Sequence, residues 1–317
     1  MGNISGHDKS GENKLDHLIA GADLIVVGAG FYGSTMAETT ARILNKKVLV
    51  IDKRAHIGGN AFTFEEKQTG IEVHKYGAHI FHTSNVAIWT YLNRFGSFDP
   101  YELRVLTLYK GGYYSMPIGL ATISQFYGQA HTPESAKRLL EEEAAKFTGL
   151  DPTNFEDKAI SQIGRPLYDA FIRGYTAKQW QTDPRQLPAE IFTRLPVRHN
   201  FDTRYFSDTY QGIPQKGYTS IIQNMLNHNN IAVALNTDFM DVKARIPAGK
   251  PIVYTGPIDQ YFDHKFGRLG WRTLDFEEQV HDVPDFQGTS VINIRMNWYH
   301  IQGKSSTDIL SLRAPTL

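Results

Sequence analysis

The sequence predicts an α/β protein that opens with a parallel βαβ unit and later returns to the same sheet. Three observations support this fold class. A β-branched run at 23–27 is followed by a glycine-rich turn and by apolar residues at helical spacing up to Leu44. A second apolar run covers 47–52, and a third strand pattern at 252–256 follows a long stretch, roughly 95–190, in which helical patterns dominate. Continuous apolar runs of this kind are typical of strands buried on both faces, as in a parallel sheet.

Composition narrows the class of protein. A chain of 317 residues predicts one large domain or two intertwined domains, and its 41% hydrophobic content excludes disorder. Lys and Arg number 33, as do Asp and Glu, so no net charge is available to hold a nucleic acid or a polybasic membrane anchor. The absence of cysteine excludes disulfides, thiolate metal sites and cysteine nucleophiles, and is compatible with a cytoplasmic location.

The glycine-rich turn carries the first functional signal. Gly28, Gly30 and Gly33 form a Gly-x-Gly-x-x-Gly motif between the first strand and its helix, and Asp52 closes the second strand. The dinucleotide-binding fingerprint places an acidic residue there, about 20 residues after the glycines, to bind a ribose hydroxyl. The motif therefore indicates a Rossmann-like dinucleotide site, and a purely structural βαβ turn is the alternative.

A second glycine pair follows the acidic strand end, at Gly58 and Gly59 in the segment from Lys53 to Asn60. This pair resembles the extension found in FAD proteins related to glutathione reductase and amine oxidase. The resemblance favours FAD over NAD. The alternative is a loop that needs positive φ at both glycines.

Three histidines lie close together at His74, His79 and His82. Their spacing matches none of the common zinc motifs and no carboxylate lies among them, so we predict no metal site. A Gly-x-His segment lying against a flavin ring is the favoured interpretation. Ordinary surface or capped histidines are the alternative.

Arginines and aromatic residues are interleaved in three segments, 171–180, 194–198 and 205–210. In a chain without net charge, this pattern indicates a nucleoside diphosphate ligand, because rings stack on a base and guanidinium groups bind phosphates. Each residue taken alone would usually belong to a core or a rim.

Together these segments resemble the UDP-galactopyranose mutase family over about 23–293. Several blocks occur in one order, which is far more specific than any single glycine motif. The blocks are Val27-Gly28-Ala29-Gly30, Arg54-x-His56-Ile57-Gly58-Gly59-Asn60, His74-Lys75-Tyr76-Gly77-x-His79-Ile80-Phe81-His82, Gly174-Tyr175-Thr176-x-Lys178-Gln179-Trp180, Arg194-Leu195-Pro196-Val197-Arg198, Tyr205-Phe206-Ser207-Asp208 and Tyr254-Thr255-Gly256-Pro257-Ile258-Asp259-Gln260-Tyr261.

The resemblance implies an isomerase that interconverts UDP-galactopyranose and UDP-galactofuranose, without net redox change, through a bond between the sugar and N5 of reduced FAD. The product serves galactofuranose-containing cell-surface glycans such as cell-wall material or lipopolysaccharide. The alternatives are an amine-oxidase-like FAD oxidoreductase, or an inactive remnant that binds flavin or UDP. The substrate would be the small-molecule partner, and a homodimer or higher homo-oligomer is expected.

Site residues carry over from the family position by position. The expected cofactor-binding residues are Gly28, Gly30, Tyr32, Gly33, Asp52, Lys53, Gly58, Gly59, Asn60, His79 and Ile80. The expected substrate-binding residues are Phe171 and Tyr175 at the uracil, Trp180 at the sugar, Arg194 at the diphosphate, and Tyr205 and Asn293 at the nucleotide. Arg194 and His79 are the expected catalytic residues.

The family also implies a domain organisation. We expect a flexible N-terminal tail at 1–20, a discontinuous Rossmann-like FAD domain at 21–95 plus about 210–265, and a mainly helical inserted domain at 96–190. Antiparallel sheet segments at 191–210 and 266–293 would line the substrate cleft.

The resemblance stops after Asn293. One permitted back-translation of 294–303, read with a single T restored before it, gives Tyr-Ser-Asp-Glu-Leu-Val-Pro-Tyr-Thr-Arg. Its last five residues, Val-Pro-Tyr-Thr-Arg, are those with which the corresponding segment of the family ends. We therefore hypothesise that 294–317 is out-of-frame translation and that activity of the truncated chain is impaired. Codons incompatible with the restored frame in the coding DNA would refute this.

Overall fold

The fold is described from a computed structural model. The structure describes residues 9–149, 153–194, 197–271, 273, 275–277, 279, 282–294 and 311–313. The chain divides into two compact units: the first consists of 1–101 and 208–271, and the second of 102–207 and 272–317.

The strands are short and distributed over both units. They are β1 (Leu24–Val27), β2 (Val48–Ile51), β3 (Thr63–Glu65), β4 (Glu72–His74), β5 (Phe81–Thr83), β6 (Phe98–Pro100), β7 (Val105–Tyr109), β8 (Gly112–Met116), β9 (Tyr210–Pro214), β10 (Ile231–Ala234), β11 (Ile252–Tyr254), β12 (Asp275–Glu277), β13 (Val291–Ile294) and β14 (Ser311–Arg313).

The α-helices are α1 (Lys9–Gly21), α2 (Phe31–Leu44), α3 (Val86–Asn93), α4 (Leu120–Tyr127), α5 (Pro133–Ala145), α6 (Phe155–Leu167), α7 (Arg173–Trp180), α8 (Gly217–Leu226), α9 (Phe239–Val242) and α10 (Ile258–Tyr261). Single turns of 3₁₀-helix lie at Gly59–Ala61, Pro184–Gln186 and Lys243–Arg245, a longer one at Ala189–Arg194, and a π-helical turn at Tyr168–Ile172.

A four-stranded parallel sheet, in the order β10-β2-β1-β11, forms the centre of the first unit. Side chains alternate along each strand. Ile25 and Leu49 pack towards α1 and α9, whereas Val26 and Val50 pack towards α2 and α8. The predicted α/β fold with a Rossmann-like domain is therefore confirmed, including burial on both faces. The return of the chain to this sheet at 252–254 is also confirmed.

The N-terminal segment differs from the prediction. A flexible tail at 1–20 is wrong for the described residues, because Lys9–Gly21 forms α1. Leu15 and Ile19 lie one helical turn apart and are buried in the cluster below the sheet. Lys250 closes the helix by donating from Nζ to the carbonyl oxygens of Ile19, Ala20 and Ala22.

The second unit has its own core, formed mainly by α4 to α7. The prediction of a mainly helical segment at 96–190 missed the antiparallel hairpin β7–β8, whose turn holds Lys110 and Gly111 at positive φ. β13 extends this hairpin by parallel pairing with β7, with Asn293 opposite Thr107.

Of the two segments predicted to be antiparallel sheet, 191–210 contains no strand before β9 among its described residues, whereas 266–293 contains β12 and most of β13. In the first unit, β9 pairs with β5 and β6, so Tyr210–Pro214 is the central strand of a separate antiparallel sheet. In the second unit, β12 pairs with β14. Most of 294–317 lies outside the described residues. Among the helices that the structure describes, none is long and apolar enough to cross a membrane.

Candidate functional site

The turn between β1 and α2 shows why the sequence needs glycine there. Gly28 has φ of 108°, and a Cβ on it would lie 2.0 Å from Oγ1 of Thr255. A Cβ on Gly33 would lie 1.9 Å from the carbonyl oxygen of Gly28. The helix can therefore pack this closely against the strand only because both positions lack a side chain.

A cleft of about 620 Å³ opens at this end of the parallel sheet. The helix α2 begins after Gly30, which offers no side chain to cap the first-turn amide groups. Those amides are left available to an anion such as a pyrophosphate. The cleft is lined by Val27, Gly28, Gly30, Phe31, Tyr32, Gly33, Ile51, Asp52, Lys53, Arg54, Gly59, Asn60, Thr237, Asp238, Phe239, Tyr254, Thr255, Gly256, Pro257 and Gln260.

Asp52 joins the two loops that border the cleft. Its Oδ2 accepts a hydrogen bond from the backbone amide of Ala29 at 2.8 Å, and its Oδ1 accepts one from the amide of Arg54 at 2.9 Å. The carboxylate therefore fixes the glycine turn as well as facing the cleft. Each oxygen keeps a second lone pair, so binding of a ribose hydroxyl stays a prediction.

The second glycine pair approaches the first glycine turn. Gly58 and Gly59 have φ of 100° and 57°, and a Cβ on Gly59 would lie 3.1 Å from Cα of Gly30. Gly58 also donates its amide to the carbonyl of Ala29 at 2.8 Å. Both glycines therefore have positive φ, which the sequence analysis gave as the alternative explanation of the pair. This backbone conformation brings the second loop to the rim of the cleft.

Arg54 is a site residue that the sequence analysis did not single out. It lines the cleft, donates from Nη2 to Oδ1 of Asn60 at 2.9 Å, and lies 4.8 Å from the ring centroid of Tyr76. It orients Asn60, one of the predicted cofactor residues. The sequence indicated this role of Arg54 only through its position as the first residue of the block at 54–60.

The histidine segment lies in the same unit. His79 donates its backbone amide to Nδ1 of His74 at 3.1 Å, so His74 carries no proton at Nδ1. Burial lowers the pKa of His74, with a smaller contribution from His79, and so keeps it neutral. Nδ1 of His79 lies 2.7 Å from the carbonyl oxygen of Gly77, so Nδ1 carries the proton of this hydrogen bond.

A chain of ring contacts connects His79 to the cleft. Its ring lies 6.5 Å from that of Tyr218, which is 2% exposed, and Tyr218 packs edge-on against Phe31 at 5.7 Å. Phe31 lines the cleft. His79 and Ile80 do not line the cleft themselves, so their contact with a flavin stays a prediction.

Most of the predicted cofactor residues therefore meet at one place. Eight of the eleven line the cleft directly: Gly28, Gly30, Tyr32, Gly33, Asp52, Lys53, Gly59 and Asn60. The close backbone approach, the uncapped helix start and the size of the cleft all fit a dinucleotide such as FAD.

The predicted substrate residues lie in the second unit. Three of them contact the β7–β8 hairpin or the irregular segment that precedes it. The Phe171 ring contacts those of Tyr109 and Tyr114, the amide of Tyr205 donates to the carbonyl of Leu103, and Asn293 pairs with Thr107. Phe171 is only 5% exposed, so the structure shows it as a core residue, and its contact with a base stays a prediction.

Tyr175 and Trp180 lie on α7, which directly follows the π-helical turn. Tyr168 begins that turn and donates its hydroxyl to Oε2 of Glu156 at 2.8 Å. π-helical turns occur frequently at functional sites, because the extra residue changes which side chains face a given side of the helix. Tyr175 is exposed on this helix.

The arginines in and beside the segments that predicted a nucleoside diphosphate ligand make different contacts. The backbone of Arg194 ends a 3₁₀-helix at Ala189–Arg194, and its side chain lies outside the described residues. Arg198 directs its guanidinium at the loop that follows it. Arg204, which directly precedes the segment 205–210, pairs with Asp202. Sequence reasoning could not distinguish a phosphate-binding arginine from one used internally.

The chain is similar in sequence to known proteins. A sequence model of an NAD(P)-binding Rossmann-like domain matches 26–95, and the model of UDP-galactopyranose mutase matches 170–301. A probable UDP-galactopyranose mutase of Klebsiella pneumoniae is 41% identical over 271 residues, which cover 86% of this chain and 69% of that protein. The chain belongs to the UDP-galactopyranose mutase family.

Other relatives agree with this assignment. A dTDP-fucopyranose mutase of Escherichia coli is 41% identical over 274 residues, covering 85% of this chain and 72% of its own length. A crystal structure of reduced UDP-galactopyranose mutase superposes with a TM-score of 0.53 at 17% identity. That superposition covers 67% of this chain and 48% of the other chain, and it bears on the fold.

Family membership confirms two predictions. UDP-galactopyranose mutases are isomerases, so the predicted enzyme class is confirmed at the level of the family. FAD as the cofactor is confirmed as well, in agreement with the Rossmann-like match and the cleft.

Proposed function

We propose that this chain interconverts UDP-galactopyranose and UDP-galactofuranose. The observation that carries the proposal is the 41% identity to the K. pneumoniae relative over 86% of the chain. The cleft in the first unit supports it, because its glycines fit the cofactor that this chemistry requires. Reduced FAD supplies a nucleophilic nitrogen for a reaction that begins and ends at the same oxidation level.

In this proposal, residues of the chain hold and orient the cofactor and the substrate. The amides that begin α2 bind the cofactor pyrophosphate, while Asp52 and Asn60 fix the loops beside it. Phe171 and Tyr175 flank the uracil and Trp180 borders the sugar. Tyr205 and Asn293 contact the nucleotide. Arg194 stabilises the departing diphosphate by a charge-assisted bond, and His79 lies by the flavin.

The cellular role is part of the same proposal. The product would enter galactofuranose-containing surface glycans, such as cell-wall polymers or lipopolysaccharide. We place the enzyme in the cytoplasm, acting without a nucleic acid or a membrane, as a homodimer or higher oligomer. The lack of cysteine and of net charge supports this placement.

The direct test supplies UDP-galactofuranose to purified protein that retains FAD, with and without dithionite. We expect UDP-galactopyranose to form only under reducing conditions and without consumption of an oxidant. If protein with the frame restored after Asn293 keeps reduced FAD but also leaves the sugar nucleotide unchanged, the proposal is contradicted. An amine-oxidase-like activity would instead consume an oxidant.

Arg194→Ala tests the proposed diphosphate contact. We expect turnover to fall by at least about 10²-fold, as for other lost transition-state donors, while FAD stays bound. Arg104→Ala is the matched control, because Arg104 is an exposed arginine of the same unit that pairs with Glu102. Turnover of Arg194→Ala equal to that of the control would refute the role.

A dTDP sugar is the second candidate substrate class. The E. coli dTDP-fucopyranose mutase is as similar to this chain as the K. pneumoniae relative is. Parallel assays with UDP-galactose and dTDP-fucose distinguish the two, and the larger kcat/KM identifies the substrate.

A further inference from the structure

The irregular segment 199–207, here called the arginine loop, folds around one guanidinium group. Nη1 of Arg198 donates to the carbonyl oxygen of Asp202 at 3.1 Å and to that of Arg204. Nη2 donates to Oγ of Ser207 at 2.8 Å. Three positions spread over the loop therefore share one side chain.

Arg198 is itself held firmly. Its amide donates to the carbonyl of Ile118 at 2.9 Å, next to the helical core of the second unit, and only 10% of its side chain is exposed. A guanidinium offers five donors in a rigid plane, so it can satisfy several acceptors at fixed angles. A lysine ammonium on a flexible stem cannot reproduce this pattern.

Tyr205 lies inside the loop that Arg198 holds. Its amide donates to the carbonyl of Leu103 at 2.8 Å, and its neighbours Arg204 and Ser207 are both bound by Arg198. The loop has no strand or helix of its own, so these bonds hold the backbone that carries the Tyr205 side chain.

We propose that Arg198 is a positioning residue, which shapes the arginine loop so that Tyr205 meets the nucleotide of the substrate. The inference rests on the proposed function for the identity of the ligand, and on the hydrogen bonds alone for the effect on the loop. In this proposal Arg198 acts on the loop and not on a phosphate, although its sequence context resembles that of a phosphate ligand.

The first experiment measures the loop independently of any ligand. In Arg198→Lys, we expect amide hydrogen exchange at 199–207 to accelerate at least about tenfold, with exchange in the parallel sheet of the first unit unchanged. Arg104→Lys, which alters an exposed ion pair in the same unit, should exchange like the wild type. Unchanged exchange at 199–207 overturns the inference. If Arg198→Lys does not fold, Ser207→Ala removes one of the bonds and should change exchange in the same direction.

The second experiment measures UDP affinity in a double-mutant cycle with retained FAD as the check on folding. Arg198→Lys should weaken UDP binding about tenfold in the wild-type background but less than about twofold in a Tyr205→Ala background. Equal effects in both backgrounds would show that Arg198 does not act through Tyr205 and would overturn the inference alone. A wild-type chain that binds no UDP overturns both the inference and the proposed function.

Discussion

At the scale of the residue, the role of a side chain depends on the groups that it contacts in the fold as well as on its type and place in a motif. Asp52 was predictable as a cofactor residue, because an acid at the end of the second strand belongs to a known fingerprint. Its bonds to the amides of Ala29 and Arg54 were not predictable. The same carboxylate therefore also stabilises the turn that forms the cleft.

Asp202 gives a pH prediction at this scale. The hydrogen bond from the Arg204 side chain lowers the pKa of Asp202 to about 2 from its ordinary value of 3.8. A depressed carboxyl pKa stabilises the folded state above the unfolded pKa, and this stabilisation is lost as the pH falls through the folded value. We expect wild type to melt at a higher temperature than Asp202→Asn at pH 7. The difference should disappear as the pH falls from about 4 to about 2.

Arg204→Met supplies the control for that prediction. Without the guanidinium, Asp202→Asn should produce no comparable pH-dependent difference, because the principal cause of the low pKa has been removed. A difference of the same size in the Arg204→Met background would assign the effect to another group.

At the scale of the element, the βαβ unit shows how closely local pattern can determine structure. The apolar runs predicted β1 and β2, and the helical spacing predicted α2, because both periodicities are properties of short segments. The π-helical turn at Tyr168–Ile172 was not predicted. Nothing in the local pattern marks it, whereas its Tyr168–Glu156 bond joins it to α6 in the folded unit.

Gly33→Ala tests the packing of α2 on β1. The added Cβ would lie 1.9 Å from the carbonyl oxygen of Gly28, so the helix must move away from the strand. We expect a loss of about 1–3 kcal/mol in the free energy of unfolding, as for other overpacked sites, and a lower content of bound FAD.

Gly21→Ala is the matched control, because nothing lies within 4 Å of the position of its Cβ. Urea unfolding followed by flavin absorbance compares the two variants. Equal stability and equal FAD content in both would show that close packing at Gly33 does not shape the cleft.

At the scale of the whole molecule, distant segments complete each unit. The first unit is assembled from two stretches of chain separated by 102–207. Helix α1, in the first stretch, contacts residues near the end of the second stretch. Lys250 binds the carbonyls at the end of α1, and Arg245 pairs with Asp16 at 2.6 Å.

Ile19→Ala tests whether α1 is part of the first unit. Ile19 is 2% exposed, so its truncation should lower the free energy of unfolding by about 2–5 kcal/mol. His17→Ala on the exposed side of the same helix should change it by less than about 0.5 kcal/mol. Chemical denaturation measures both, and an Ile19→Ala variant as stable as His17→Ala would restore the picture of a loose tail.

The sequence by itself determined the βαβ unit, the dinucleotide cleft and the family, because these depend on short-range spacing and on blocks of residues in a fixed order. Only the tertiary structure decided that α1 covers the sheet, that the β7–β8 hairpin contacts Phe171 and Asn293 while the segment before it contacts Tyr205, and that Arg198 serves its own loop. These features depend on contacts between residues far apart in the chain. A guanidinium has the same local sequence signature whether its acceptor is a phosphate or a carbonyl of the protein.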